Sequence, residues 1–508
     1  MNKFRKVKIN FIWQGIYQFV ILILGFVVPY IVLNAYGSEV NGLTSTIKQI
    51  IILSSLASAG IATAATYSLY KPIQDQDKKR IAGILQSVKK AYQIISIVTF
   101  LMGFIGSFLL AFFQKSEMTF FLVFIACLLT SINTVIDLYY TATTTVFLTA
   151  TQNKHIISIA MLISGLIMYG GQVVIALLEL PFVYLYATSV IGTIFKIFFL
   201  RHYFKILYKE FELLPGERKI VGDFKLSNVS YAFANEVAHT VNVATQSIIV
   251  TFIYGLAEAS VLSIYMMVVN ALSLLAQIVY TSFSPSFGAV VAEGDMNKIN
   301  DVFEIFQQSI MFLNTFLYMC AVPLFMPFVK LYTQNINDID YLSDIIMIEA
   351  VIYGIFYAIR VPYNIVASTN GLFKKSAIQT MVTCIITVGI SVFVTIIDYR
   401  LILLGSIIFY AVNVFYQHFM LKKEIAGFEN GHFWKHFMVS ILGIGIMYVL
   451  NVFAVKRIII DNFYKWVFMA VIVALVSFFV LILLSVTIDN KSFKKTLFFF
   501  KNKIVNRS

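Results

Sequence analysis

Amide, hydroxyl and ionisable side chains recur at helical spacing inside stretches that are otherwise apolar, and these residues could do chemistry. Asn228, Tyr231, Asn235, His239, Asn242 and Gln246 follow one another at three or four residues, with Glu236 adjacent. That spacing puts them on one helix face. The same rhythm places Thr130, Asn133, Thr134, Asp137, Thr141 and Thr144 on a second helix. On a third it places Glu349, Tyr353, Tyr357, Arg360, Asn364 and Ser368. Gln14 and Gln18 mark the first apolar stretch; Lys48, with Thr44 and Ser55, marks the second. A charge at the centre of a bilayer costs about 2.5–3.5 kcal/mol on insertion scales, so such residues line water or pair with one another. Together the stripes would enclose a hydrated cavity.

The chemistry on offer is binding. Arg360 can grip a phosphate through two parallel N–H bonds, and Lys48 offers the same anion a point charge or snorkels to the membrane interface. Asn235, Asn242, Gln246, Gln18 and Asn364 supply amides to a polar cargo. Glu236, Asp137 and His239 either take a coupling ion or balance the cations, and Asp137 is also a candidate structural partner of Arg360. Catalytic patterns are missing: there is no Walker A sequence and no His-Glu-x-x-His. The loop after the first span holds one acidic residue, Glu39, which argues against a membrane-embedded glycosyltransferase. Cys127, Cys320 and Cys384 lie in apolar runs without metal-ligand spacing and read as packing residues. No cofactor and no metal are expected.

The elements that must position these residues are membrane helices. The chain has 508 residues, of which 59% are hydrophobic and 12% charged, with a net charge of +13. Soluble domains carry about 25% charged residues. Continuous apolar runs, not alternation, exclude a barrel. About fourteen spans follow, near 11–34, 42–70, 91–113, 119–149, 156–178, 182–204, 228–254, 259–291, 305–329, 343–369, 376–397, 401–421, 436–455 and 466–488. The basic N-terminus, followed by an apolar run too long for a signal peptide, reads as a retained first helix. About 29 Lys and Arg fall on the side of the two termini against about 6 on the other, so both termini are expected in the cytoplasm. The positive charge thus sets orientation, and no nucleic-acid partner is expected. Segment 81–90 reads as an interfacial helix on the cytoplasmic leaflet, and the Lys494–Lys501 tail as a second surface anchor.

A repeat orders the spans. Tyr36-Gly37 returns as Tyr254-Gly255, and the Asp77 segment returns as the Asp295 segment, both 218 residues later. Asn153 pairs with Asn370 if one residue of slip is allowed. The expected fold is an all-α polytopic membrane protein of two six-helix bundles in parallel, pseudo-two-fold repeat, plus two C-terminal helices. Its parts would be an N-terminal bundle at 1–205, a cytoplasmic linker at 206–227, a second bundle at 228–421, and two extra helices with a basic tail at 422–508. The charge is not duplicated: Lys48 falls opposite Met266, Arg360 opposite Ala142, and Gln18 becomes Glu236.

The start Val7-Lys8-Ile9-Asn10-Phe11-Ile12-Trp13, the turn Tyr36-Gly37-Ser38-Glu39-Val40-Asn41-Gly42-Leu43 and the Asp77–Arg80 segment carry a resemblance. With the span count, they resemble Wzx-type polysaccharide-transport flippases. These belong to the superfamily that also holds multidrug (MATE) exporters and lipid II flippases. The resemblance covers essentially the whole chain. It implies a flippase in the bacterial cytoplasmic membrane, moving undecaprenyl-diphosphate-linked oligosaccharide by alternating access for cell-surface polysaccharide synthesis. It implies membrane lipids, a polysaccharide polymerase and glycosyltransferases as partners, and a proton or sodium as coupling ion. The alternatives are an ion-coupled multidrug or cation antiporter of the same fold, or a flippase for another lipid-linked cell-wall precursor.

Overall fold

A bilayer leaves the backbone no water to bond, so a chain this apolar must satisfy its amides internally, and it does so with helices. The computed structural model describes residues 3–208, 229–429, 432–453 and 458–505. Among them are fourteen α-helices and no strand. They are α1 (Lys3–Ser55), α2 (Ala59–Gln74), α3 (Lys78–Phe113), α4 (Phe120–Ala150), α5 (Lys154–Leu177), α6 (Val183–Tyr208) and α7 (Val229–Ile253). They continue as α8 (Leu256–Glu293), α9 (Met296–Tyr332), α10 (Asp344–Thr369), α11 (Phe373–Ile397), α12 (Leu403–Glu424), α13 (Phe433–Phe453) and α14 (Phe463–Val505).

Twelve of the described helices are long and apolar enough to cross a membrane. At 1.5 Å per residue α1 would measure about 80 Å, far beyond a hydrocarbon core of about 30 Å. It is two spans joined at Gly37, whose φ of 77° breaks the right-handed helix. The second span carries on through a 3₁₀ turn at Leu56–Ser58 into α2. That break falls in the run of small residues at 54–68. α7 is outside the set of twelve because its polar stripe lowers its mean hydropathy. Counting both spans of α1 and adding α7 gives the fourteen rods expected.

The repeat is written in the joints. Gly37 and Gly255 both have positive φ, as do Gln76 and Gly294, each pair 218 apart. Asp77 caps α3 by accepting from the Arg80 amide, and Asp295 caps α9 by accepting from the Asn297 and Lys298 amides. By the end of α4 the register is 219, since α4 and α10 end at Ala150 and Thr369, α5 and α11 begin at Lys154 and Phe373, and Gln152 matches Gly371 in positive φ. Arg360 thus falls opposite Thr141, not Ala142. The expected pairing of Asn153 with Asn370 is therefore corrected: Asn153 precedes α5, whereas Asn370 ends α10. Helix partners repeat too. α4 packs on α3 and α6, and α5 on α6; α10 packs on α9 and α12, and α11 on α12.

One helix departs from this pattern. The first span of α1 packs on α5, but its repeat counterpart α7 packs on α1 and α2. Gly42 brings the start of α8 close to α1 as well, because a Cβ there would run into the Leu256 carbonyl. Asn41 Nδ2 donates to Ser260 Oγ at 2.7 Å, and the Thr46 and Thr251 hydroxyls are 2.7 Å apart. The chain accordingly divides into compact units of residues 1–260 and 261–508. The division falls in α8; of the expected 206–227 linker, 209–227 lie outside the described residues.

One surface reading is corrected, and the tail is tied to α9 on one side while Leu497 and Phe498 stay exposed. Segment 81–90 is part of the continuous helix α3, and Ile81, Leu85 and Val88 are buried against Ala65, Leu69 and Phe147. Its apolar face meets protein instead of lipid. Along the tail, α14 breaks at Asp489 and resumes, and Lys495 bonds Asp301 and Glu304 of α9. Ser492 and Thr496 are buried there. Meanwhile Phe198, Ile385, Phe393 and Phe479 point outward, as suits a hydrocarbon surround.

Candidate functional site

Within residues 261–508, the seam between α10 and α12 gathers most of the polar chemistry. Both helices are fixed at their starts. Ser343 caps α10 by accepting from the Ile346 amide. The buried Glu349 of α10 accepts the Leu403 amide with Oε2 at 3.0 Å, tying the first residue of α12 to its neighbour. Asp398, in the preceding turn, accepts from the Arg400 side chain, which holds its carboxyl below the usual range.

Three turns past Glu349, Arg360 lies against two tyrosine rings. Its guanidinium carbon is 4.7 Å from the Tyr357 centroid and 5.2 Å from that of Tyr410 on α12. Tyr353 supports both rings, at 6.0 Å and 5.4 Å. A ring face attracts a cation through its quadrupole, by about 0.5–2 kcal/mol, and leaves the positive charge intact. One turn on, Asn364 Oδ1 accepts from Gln417 Nε2 of α12 at 2.6 Å, and the same Gln417 nitrogen reaches Ser376 Oγ of α11 at 3.4 Å. Deeper in the seam, the Tyr363 hydroxyl accepts from Gln307 Nε2 and meets His418 Nδ1. Arg360 and Asn364 therefore lie along one polar helix contact.

In residues 1–260 the predicted residues separate into three places. Lys48 and Thr44 occupy an exposed face of α1 one turn apart, with Thr44 also bonded to Tyr186. Lys48 is ten residues past Ser38, about 15 Å along the span. Gln18 and Glu236 are both exposed, at repeat-equivalent positions of α1 and α7. His239, Asn242 and Gln246 are buried, on a helix that packs against α1 and α2. Asn235 is half-buried and its Oδ1 has no hydrogen-bond partner. The α7 stripe is thus largely an internal packing face, with Glu236 at its exposed margin. Asn228 lies outside the described residues.

Asp137 has a cationic partner within its own unit. Its Oδ1 is 2.6 Å from Lys196 Nζ on α6 and also accepts from Thr141. Both helices belong to the same compact unit, so the acid is balanced locally. Sequence reading missed Lys196 and Tyr410. A lone lysine well inside the 182–204 apolar run was the signal for the first. Tyr410 gives no signal, since tyrosine is common in apolar helices and only the fold brings it to Arg360.

The geometry offers a fixed cation in an aromatic setting, a second cation on an exposed face, and amide pairs nearby. Comparison with solved structures places the architecture. The lipid II flippase MurJ in an inward closed conformation superposes with a TM-score of 0.64 at 16% identity, covering 94% of this chain and 98% of that one. An inward-facing multidrug resistance MATE transporter of the MOP superfamily gives 0.59 at 14% identity, covering 80% and 96%. The chain shares the fold of these two proteins. A MATE protein in complex with MaL6 gives 0.54 at 12%, covering 82% and 96%. The MurJ match leaves too few residues over to omit both α13 and α14, so the likeness extends into the extra helices. No family model and no curated protein sequence matches the chain.

Proposed function

We propose that the chain is a flippase that carries a lipid-linked oligosaccharide, of the undecaprenyl diphosphate class, across the bacterial cytoplasmic membrane by alternating access. The observation that carries this reading is Arg360, a permanent cation inside a membrane helix, stacked beside the Tyr357 and Tyr410 rings. Such a group suits a diphosphate, and Lys48 adds a second cation. Asn364, Asn235, Asn242, Gln246 and Gln18 are the proposed amide contacts to sugar, directly or by rearrangement of the packed faces. Glu236 and His239 are the proposed coupling or charge-balancing groups, with proton or sodium as the ion, and Asp137 balances Lys196. Both termini face the cytoplasm, and the partners are membrane lipids, glycosyltransferases and a polysaccharide polymerase.

The fold is shared with a lipid II flippase and with multidrug transporters, so each supplies a reading. The exposed Glu236 favours the second, an ion-coupled cation antiporter. The two separate in one experiment. In a strain lacking its own exporter, this protein restores surface polysaccharide, and Arg360→Ala abolishes the rescue at unchanged protein level. Normal polysaccharide with Arg360→Ala, or drug resistance that depends on Glu236 without any polysaccharide rescue, would overturn the flippase reading.

A further inference from the structure

Away from the α10–α12 seam, two histidines converge on one buried carboxylate. α14 leaves helical geometry at Asp489, with φ −142° and ψ 60°. This break turns the Asp489 side chain, 2% exposed, toward the start of α13. His432 Nδ1 is 2.6 Å from both carboxylate oxygens. His436 Nε2, one turn later, is 3.1 Å from Oδ2, in ion-pair range but outside hydrogen-bond geometry. Lys435 is the next cation, at 3.9 Å.

A small cavity adjoins the carboxylate, lined by Gln308 and Thr315 of α9, His436 of α13, and Ser485 and Asp489 of α14. It has room for about one water. Gln308 Oε1, Ser485 Oγ and His436 Nδ1 are buried around it without hydrogen-bond partners. Three such atoms would each cost about 1–3 kcal/mol if left dry, so the cavity is built to be wet. The residues do not group as a metal site.

We propose that His432, Asp489 and His436 form a proton-binding site, hydrated through this cavity, whose occupancy sets how tightly α13 and α14 dock on α9. With the proton bound, Asp489 is neutralised at hydrogen-bond distance. When the proton leaves, a buried carboxylate keeps its charge with only the more distant Lys435 in ion-pair range. The other charged groups around the junction are mutually engaged or exposed. From α9, Asp301 and Glu304 are held by Lys495 of α14. Lys491 and Lys494 of α14 are exposed. The site is therefore the titratable element of a junction whose remaining contacts are fixed, such as the Thr315–Ser440 hydroxyl pair at 2.6 Å. The inference stands whatever the cargo is, because it concerns helices outside the seam that holds Arg360.

The test is amide hydrogen exchange on the full chain in nanodiscs, corrected for intrinsic exchange and referenced to peptides from α3 and α4. Between about pH 6 and about pH 8, the range in which histidine titrates, exchange in 433–453 and 490–499 should rise about threefold in the wild type. It should stay flat in Asp489→Asn and in His432→Gln. Should Asp489→Asn not fold, nitrogen-15 imidazole spectra of the wild type decide, with His432 and His436 expected to titrate as a coupled pair. A wild type with no pH-dependent exchange, an Asp489→Asn protein that keeps the wild-type rise, or two histidines titrating independently would each overturn the proposal.

Discussion

The α4–α6 and α10–α12 pairs are the same helix pair in the two copies of the repeat, and they handle charge in opposite ways. In the first, Asp137 and Lys196 close on each other at 2.6 Å. At the 219-residue register their counterparts are Phe356 and Phe415, whose rings meet at 6.2 Å. In the second pair, Arg360 lies over Tyr410; the counterparts in the first are Thr141 and Ile191. An ion pair has become an aromatic contact, and an uncharged contact has become a caged cation. Duplication kept the scaffold and changed the charge on it. The α4–α6 pair closes its lysine on a carboxylate, whereas the α10–α12 pair sets its arginine against ring faces.

The sharpest way to break this contrast is to remove Arg360. Arg360→Ala should lower polysaccharide export about tenfold or more, from the ~1.5–3 kcal/mol of a contact to a charged group, with thermal stability nearly unchanged. Arg360→Lys should fall between, because lysine keeps the charge but loses the planar stack on Tyr357 and Tyr410. In the first copy the outcome should invert. Lys196→Met leaves Asp137 uncompensated and should cost about 1–3 kcal/mol of stability, a figure reduced for the partial exposure of the pair. Adding Asp137→Asn should restore most of that loss in the same thermal unfolding measurement.

Smaller effects probe the scaffold the copies share. Gly42→Ala pushes a methyl group into the Leu256 carbonyl, and about 1–3 kcal/mol of destabilisation is expected from overpacking. Faster hydrogen exchange in the first turns of α8 would localise the damage. The smallest effect should also be the most symmetric. Asp77→Ala and Asp295→Ala each remove a helix cap and should cost about 1 kcal/mol, with matching exchange gains in the first turns of α3 and α9. Unequal costs would mean that the repeat is not preserved at its joints.

Much of the fold was readable because its determinants are local. Apolar runs give the rods, and Gly37, Gly255, Asp77 and Asp295 mark turns that only certain residues make. The break at Asp489 and the correct slip by the end of α4 were not readable, since Gln152 reaches positive φ without being glycine. Periodicity located the polar faces but could not say what each one meets. His239, Asn242 and Gln246 sit on a face as regular as that of Arg360, yet they are buried on a helix that packs against α1 and α2. Segment 81–90 misled for the same reason, as an amphipathic face fits protein and lipid equally well. Partners distant in sequence, such as Lys196 for Asp137 or Tyr410 for Arg360, appear only when the chain is folded.

The central claim is that charge on the α10–α12 pair serves cargo while charge on the α4–α6 pair serves structure. The direct measurement is flipping of a fluorescent undecaprenyl-diphosphate-linked sugar in proteoliposomes, comparing Arg360→Ala with the Asp137→Asn/Lys196→Met double variant at equal reconstitution. The account predicts that Arg360→Ala loses transport while the double variant keeps it. Transport that survives without Arg360, or that fails in the folded double variant, would contradict it.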